Sequence, residues 1–169
     1  MTIPAAEVHI DSDLVLRLVR AQHPDLLGPV TLVANGWDNV VYRLGEDLCV
    51  RLPRRRMAVD LIVNEQRWLP VLAEHVEVAM PVPVRIGEPG EGYPWPWTIV
   101  PWHEGHTALD VPPADRAGLA VPLAGFMNGI HRPAPPDAPH NPYRGVPLTV
   151  RDALVRQDLR AVPRGAELL

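Results

Sequence analysis

The chain has 169 residues, 47% of them hydrophobic and 21% charged, with a formal net charge of -4. That is the composition of a globular protein with room for one ordinary domain, or a small domain and an appendage, and it excludes a disordered chain. The acidic balance argues against a nucleic-acid partner, and no apolar run approaches the roughly 18 residues of a membrane span. The N-terminus lacks a charged region followed by an apolar signal core, and a lone cysteine, Cys49, cannot close an internal disulfide. A cytoplasmic protein is therefore expected. All 16 basic residues are arginine. The only local basic run, Arg54-Arg55-Arg56, reads as a solvated turn.

A helix is predicted over 11–22, capped by Asp11 or Ser12, with Leu14, Val15, Leu18 and Val19 as its apolar stripe. His23-Pro24 ends it. A strand is expected from Pro29 to Asn35, with Val30, Leu32 and Ala34 alternating against Thr31 and Val33. Gly36-Trp37-Asp38-Asn39 forms a turn, Val40 to Leu44 the return strand, Gly45-Glu46-Asp47 a second turn, and Leu48 to Leu52 a third strand. A helix over 57–75 follows, with Leu61, Ile62, Glu65, Trp68, Leu69 and Leu72 on one face, and Pro70 is expected to kink or split it. Val82 to Ile86 and Trp97 to Trp102 read as two more strands around a Gly/Pro-rich turn. A helix over 114–131, a proline-rich loop over 132–147 and a last helix near 150–161, opened by a capping box at Thr149–Asp152, complete the chain. The apolar side of helix 114–131 has no obvious cover, so it is a candidate for self-association or docking.

The chemistry concentrates in the first hairpin, the third strand and the helix after it. A turn containing Gly36 lets backbone approach a bulky anion, and backbone N–H groups with the Asn39 amide can donate to phosphate oxygens. In the third strand, Cys49 and Arg51 share one face, with Leu48, Val50 and Leu52 on the other. A charged arginine in a short apolar strand needs a partner. Glu65, on the apolar face of the next helix, is the natural one, and an Arg51–Glu65 pair would hold the guanidinium beside a polyphosphate. Val100-Pro101-Trp102-His103-Glu104-Gly105 would pass the mouth of such a cleft and offer backbone groups to a purine edge. Each feature also has a plain reading: an ordinary hairpin turn, an ion pair that fastens helix to sheet, and a strand exit.

Taken together, Gly36–Arg43, Val50–Arg54, Glu65–Pro70, Pro81–Pro83 and Gly92–Trp97 resemble the aminoglycoside phosphotransferase family of the kinase-like fold. The resemblance covers about residues 10–148. It implies an α+β protein: a kinase-like N-lobe with a five-stranded antiparallel sheet and one packed helix over 1–103, then a hinge and a partial helical second lobe over 104–169. It further implies that Gly36 and Asn39 cover the phosphates of ATP or GTP, that Arg51 stands where the family places a phosphate-binding lysine, and that Glu65 orients it. Cys49 would lie beneath the purine, and Pro101 and His103 would present backbone groups to the base. The partners implied are the nucleotide, with magnesium in full-length members, and a small-molecule hydroxyl acceptor.

The family's His-Gly-Asp-x-x-x-x-Asn loop does not occur in this sequence. Ile130-His131-Arg132-Pro133 imitates its beginning, but proline stands where a base is needed. His103, Glu104 and His106 are too loosely placed to be read as a metal trio. The expectation is therefore a truncated O-phosphotransferase without turnover of its own. The alternatives are a non-catalytic nucleotide-binding or protein-interaction module, and an α+β domain with no ligand.

Overall fold

Between residues 30 and 101 the chain builds a five-stranded antiparallel sheet in the order β1-β2-β3-β5-β4. The strands are β1 Val30–Asn35, β2 Asn39–Leu44, β3 Leu48–Pro53, β4 Arg85–Gly87 and β5 Trp97–Pro101. Among the described residues, four α-helices accompany them: α1 Ser12–Gln22, α2 Val59–Ala73, α3 Ala120–Ile130 and α4 Asp152–Ala161. The computed structural model describes residues 3–141, 145–162 and 167. The chain divides into two compact units, Met1–Arg132 and Pro133–Leu169.

Period two in the strands sorts the sheet into two faces. Val40, Tyr42 and Leu44 of β2 stand opposite Leu52, Val50 and Leu48 of β3, and Ile99 of β5 stands opposite Val50. These side chains meet Leu14, Val15, Leu18 and Val19 of α1 in one core. Burying each contributes roughly 1.5–3 kcal/mol. Asp11 caps α1 by accepting the Leu14 N–H at 2.8 Å. The helix expected merely to precede the sheet is thus one layer of its core.

The second source of that core is the Gly/Pro-rich segment between β4 and β5, expected only as a turn. Tyr93 and Trp97 are fully buried, and Trp95 nearly so. Tyr93 donates its hydroxyl to the Pro53 carbonyl at 2.7 Å, and burial pushes its phenol far above the ordinary range. Trp97 lies flat against Gly87, its partner across β4–β5; a Cβ at Gly87 would sit 1.9 Å from the indole ring. Gln22 at the end of α1 holds Glu88 from both sides, accepting its N–H at 2.8 Å and donating to its carbonyl at 2.9 Å.

Several expectations are corrected. The alternation foreseen in β1 is not used: the strand is a largely exposed edge, with a bulge between Leu32 and Ala34 that twists it out of register. Pro70 does not split α2, which runs unbroken through it. The proline lacks the N–H that would meet the Gln66 carbonyl, and the helix continues only to Ala73 beyond it. Leu61 lies off the buried face of α2, and Val59 and Ile62 supply that face. The fourth strand begins only at Arg85, because Pro81 and Pro83 cannot donate to a ladder. The helix expected over 114–131 is a 3-10 stretch, Pro113–Leu119, followed by α3. Leu119, Val121, Leu123 and Met127 of that segment are exposed. In the second unit a 3-10 turn, Leu148–Arg151, leads into α4 and takes up Thr149, so the expected capping box does not form. The expected proline-rich loop lies partly outside the described residues, at 142–144.

Candidate functional site

The other face of the sheet carries the polar chemistry. Asn39, Val41 and Arg43 of β2 stand opposite Pro53, Arg51 and Cys49 of β3, and Thr98 and Val100 of β5 stand opposite Arg51 and Cys49. The register therefore sets Asn39, Arg51, Cys49 and Arg43 on one surface. α2 packs there. Arg51 and Glu65 form a two-pronged ion pair: Nη1 donates to Glu65 Oε2, and Nη2 donates to Oε1 at 3.2 Å. Their side chains are 21% and 33% exposed, so the pair is sheltered yet open on one side. An arginine fork held by one carboxylate keeps donors and charge for a second anion.

The neighbour of Glu65 makes a parallel connection that carries no mark in the sequence. Gln66 Nε2 donates to Thr98 Oγ1 at 2.8 Å and to the Trp97 carbonyl at 3.2 Å. Thr98 is itself buried. Two consecutive residues of α2 thus tie to directly opposed residues of two adjacent strands.

At the hairpin, the Gly36 N–H donates to the Asn39 carbonyl at 2.9 Å and is spent within the turn. The role foreseen for Gly36 thus rests on its missing side chain, not on its amide. Asn39 Oδ1 is buried without a hydrogen-bond partner among the described residues. Such an orphan costs about 1–3 kcal/mol, so a ligand donor there would be worth that much.

The arginine run beside this turn is not the solvated turn expected. Arg54 is buried and donates to the Gly36 carbonyl at 2.8 Å. Arg55 bonds Asp38 at 3.0 Å and faces the Trp37 ring at 6.0 Å. Only Arg56 is well exposed, 3.9 Å from Asp60. Asp38 and Trp37 precede Arg55 by 17 and 18 residues, so only the folded hairpin brings them beside it.

Cys49 is buried, and its desolvation pushes the thiol up against the opposing pull of Arg51 and Arg43. Pro101 is half-buried opposite Leu48, and His103 is exposed. Glu104 is committed to Arg43 and to Trp102, at 2.9 and 2.8 Å. The Arg43 hydrogen bond holds its carboxyl below the ordinary range. His131 stands at the C-terminal cap of α3. A separate cleft of about 380 Å³, lined by residues including Glu7, His9, Asn35, Val40 and Arg54, contains none of the predicted site residues.

This arrangement can be compared with known proteins. The sequence profile of the phosphotransferase enzyme family (APH) matches residues 29–168. The chain belongs to that family. No curated protein matches it. Among solved structures, the GDP complex of wild-type aminoglycoside 2'-phosphotransferase-IIIa is 21% identical with a TM-score of 0.70, over 89% of this chain and 52% of that one. The GDP and kanamycin complex of APH(2")-IIia is 24% identical with a TM-score of 0.65, over 85% and 50%. The ADP-bound structure of APH(2'')-Ib is 14% identical with a TM-score of 0.56, over 95% and 53%. At such identities the likeness is one of fold. This phosphotransferase-family chain spans about half the length of those three.

Proposed function

We propose that these residues form the nucleotide-gripping part of an aminoglycoside phosphotransferase-like enzyme, binding ATP or GTP. The Arg51–Glu65 pair carries this reading, because it sets a charged fork on the surface shared with Asn39 and Cys49. Arg51 takes the α- and β-phosphates, Glu65 orients it, and the Gly36–Asn39 turn lies over the triphosphate. Cys49 lies beneath the purine, and the backbone of Pro101 and His103 meets its edge. Residues 1–103 act as the nucleotide lobe and 104–169 as the hinge with part of a helical lobe.

Transfer of the γ-phosphoryl group to a hydroxyl of a small-molecule acceptor needs a base and metal ligands as well as this grip. The sequence has no His-Gly-Asp loop to supply that base. We therefore assign binding, and not turnover, to these 169 residues by themselves.

The test is titration of the chain with ATP and with GTP, for the natural sequence and for Arg51→Met. Saturable binding weakened about tenfold or more by the substitution is expected from loss of charge-assisted hydrogen bonds. No binding of either nucleotide, or equal affinity in Arg51→Met, would overturn the reading. A second reading, a non-catalytic interaction module, is favoured by the exposed apolar residues Leu119, Val121, Leu123 and Met127. Concentration-dependent mass in sedimentation, abolished by Leu123→Glu, would support it.

A further inference from the structure

The segment leaving β5 is not a free loop. The Trp102 N–H donates to the Asp47 carbonyl at 2.7 Å, adding one rung beyond the strand's end. Arg43, on β2, reaches the same place. Its Nη2 donates to Glu104 Oε1 at 2.9 Å and to the Glu46 carbonyl. Its guanidinium lies 4.4 Å from the centre of the Trp102 ring. Trp102 Nε1 donates to the same Glu104 oxygen at 2.8 Å. One guanidinium thereby joins the β2–β3 turn to the segment after β5. The Arg43 side chain is only 24% exposed, whereas that of Glu104 is 79% exposed, so the fixed half of the contact belongs to the sheet.

We propose that Arg43 is a positioning residue that latches Trp102–Glu104 to the β2–β3 turn, and so sets the chain's preference between adenine and guanine nucleotides. The inference rests on the nucleotide-binding reading above. The register supplies the reason. Arg43 stands opposite Cys49, and Cys49 stands opposite Val100, so the guanidinium starts in the row of residues assigned to the base. Adenine presents an amino donor where guanine presents a carbonyl acceptor. A backbone edge distinguishes the two only while its own N–H and C=O groups are held in place, since hydrogen bonds weaken steeply with misalignment. Pro101 offers a carbonyl and no N–H, which makes the placement of the next residues decisive.

The experiment measures affinities for ATP, GTP and inorganic triphosphate, and amide exchange at Trp102–Gly105, in the natural chain, Arg43→Met, Glu104→Ala and Arg43→Lys. Glu104 is largely exposed, so Glu104→Ala folds even where Arg43→Met is damaged. The expected result in Arg43→Met and Glu104→Ala is about tenfold weaker binding of the preferred nucleotide, from the loss of hydrogen bonds and the cation–π contact. The ATP-to-GTP ratio should move toward one, triphosphate affinity should stay unchanged, and the Trp102 amide should exchange faster. Arg43→Lys should restore part of the ratio. A natural-chain ratio near one, a ratio that withstands both substitutions, or an equal loss on all three ligands would overturn the latch alone. A natural chain that binds neither nucleotide would remove the proposed function and the latch together.

Discussion

Removing Glu65 tests the central pair directly. In Glu65→Ala, Arg51 keeps its place in β3, where its side chain is only 21% exposed beside Glu65, and loses the carboxylate that faces it. Breaking a fully buried pair costs about 3–5 kcal/mol, whereas an exposed pair is worth about 0.2–1 kcal/mol. With partners 21% and 33% exposed, the structure places the coupling between these limits, near 2 kcal/mol. For a chain of this size that corresponds to a fall in Tm of about 4–8 °C. The assay is urea unfolding of the natural chain, Arg51→Met, Glu65→Ala and the double variant. The double variant should be more stable than the sum of the single losses predicts, by about 2 kcal/mol, because removing both partners leaves no buried charge behind. Losses that add to within about 0.5 kcal/mol would show that the two residues do not interact, and Arg51 would then not be a held cation.

Gly87→Ala should destabilise by about 3 kcal/mol in denaturant unfolding, because the new Cβ would overlap the buried Trp97 indole, which has nowhere to move; a change under about 0.5 kcal/mol would contradict the packing. Cys49, its thiol pushed up mainly by burial, should resist a disulfide reagent at mild alkaline pH until the chain unfolds. Labelling of the folded chain at the rate of a free thiol would refute this. The Asp11 carboxyl is held below the ordinary range, first by the Leu14 N–H it accepts. A lowered carboxyl contributes stability above its unfolded value, near pH 4, and loses it as pH falls through the folded value. Asp11→Asn keeps a capping oxygen without the charge, so its unfolding midpoint should fall less than that of the natural chain on acidification; parallel acid profiles would refute this.

Much of the fold was legible because local signals agreed. The stripe Leu14, Val15, Leu18 and Val19, the short turns at Gly36 and Gly45, and the cation in β3 each point one way. The strands of the sheet follow from them, whereas the family rests on the resemblance of whole segments such as Gly36–Arg43 and Glu65–Pro70. The pairing of Arg51 with Glu65 was readable for a further reason: an unmatched charge on an apolar strand calls for a partner of opposite sign nearby. What stayed hidden depends on distant contacts. A segment as rich in proline and glycine as 87–96 reads as surface, and only the Gly87–Trp97 approach shows why it packs inside. The arginine run reads as solvated until the hairpin folds back and offers the Gly36 carbonyl and Asp38. Gln66, Thr98 and Arg43 do not stand out in the sequence, because their partners are set by strand register, which periodicity does not fix.

Glu65 and Gln66 are consecutive, so they project from α2 about 100° apart, and their targets lie on strands about 4.8 Å apart. A roll of α2 about its axis would therefore load both attachments together. The cation of β3 and the hydroxyl of β5 share one mounting.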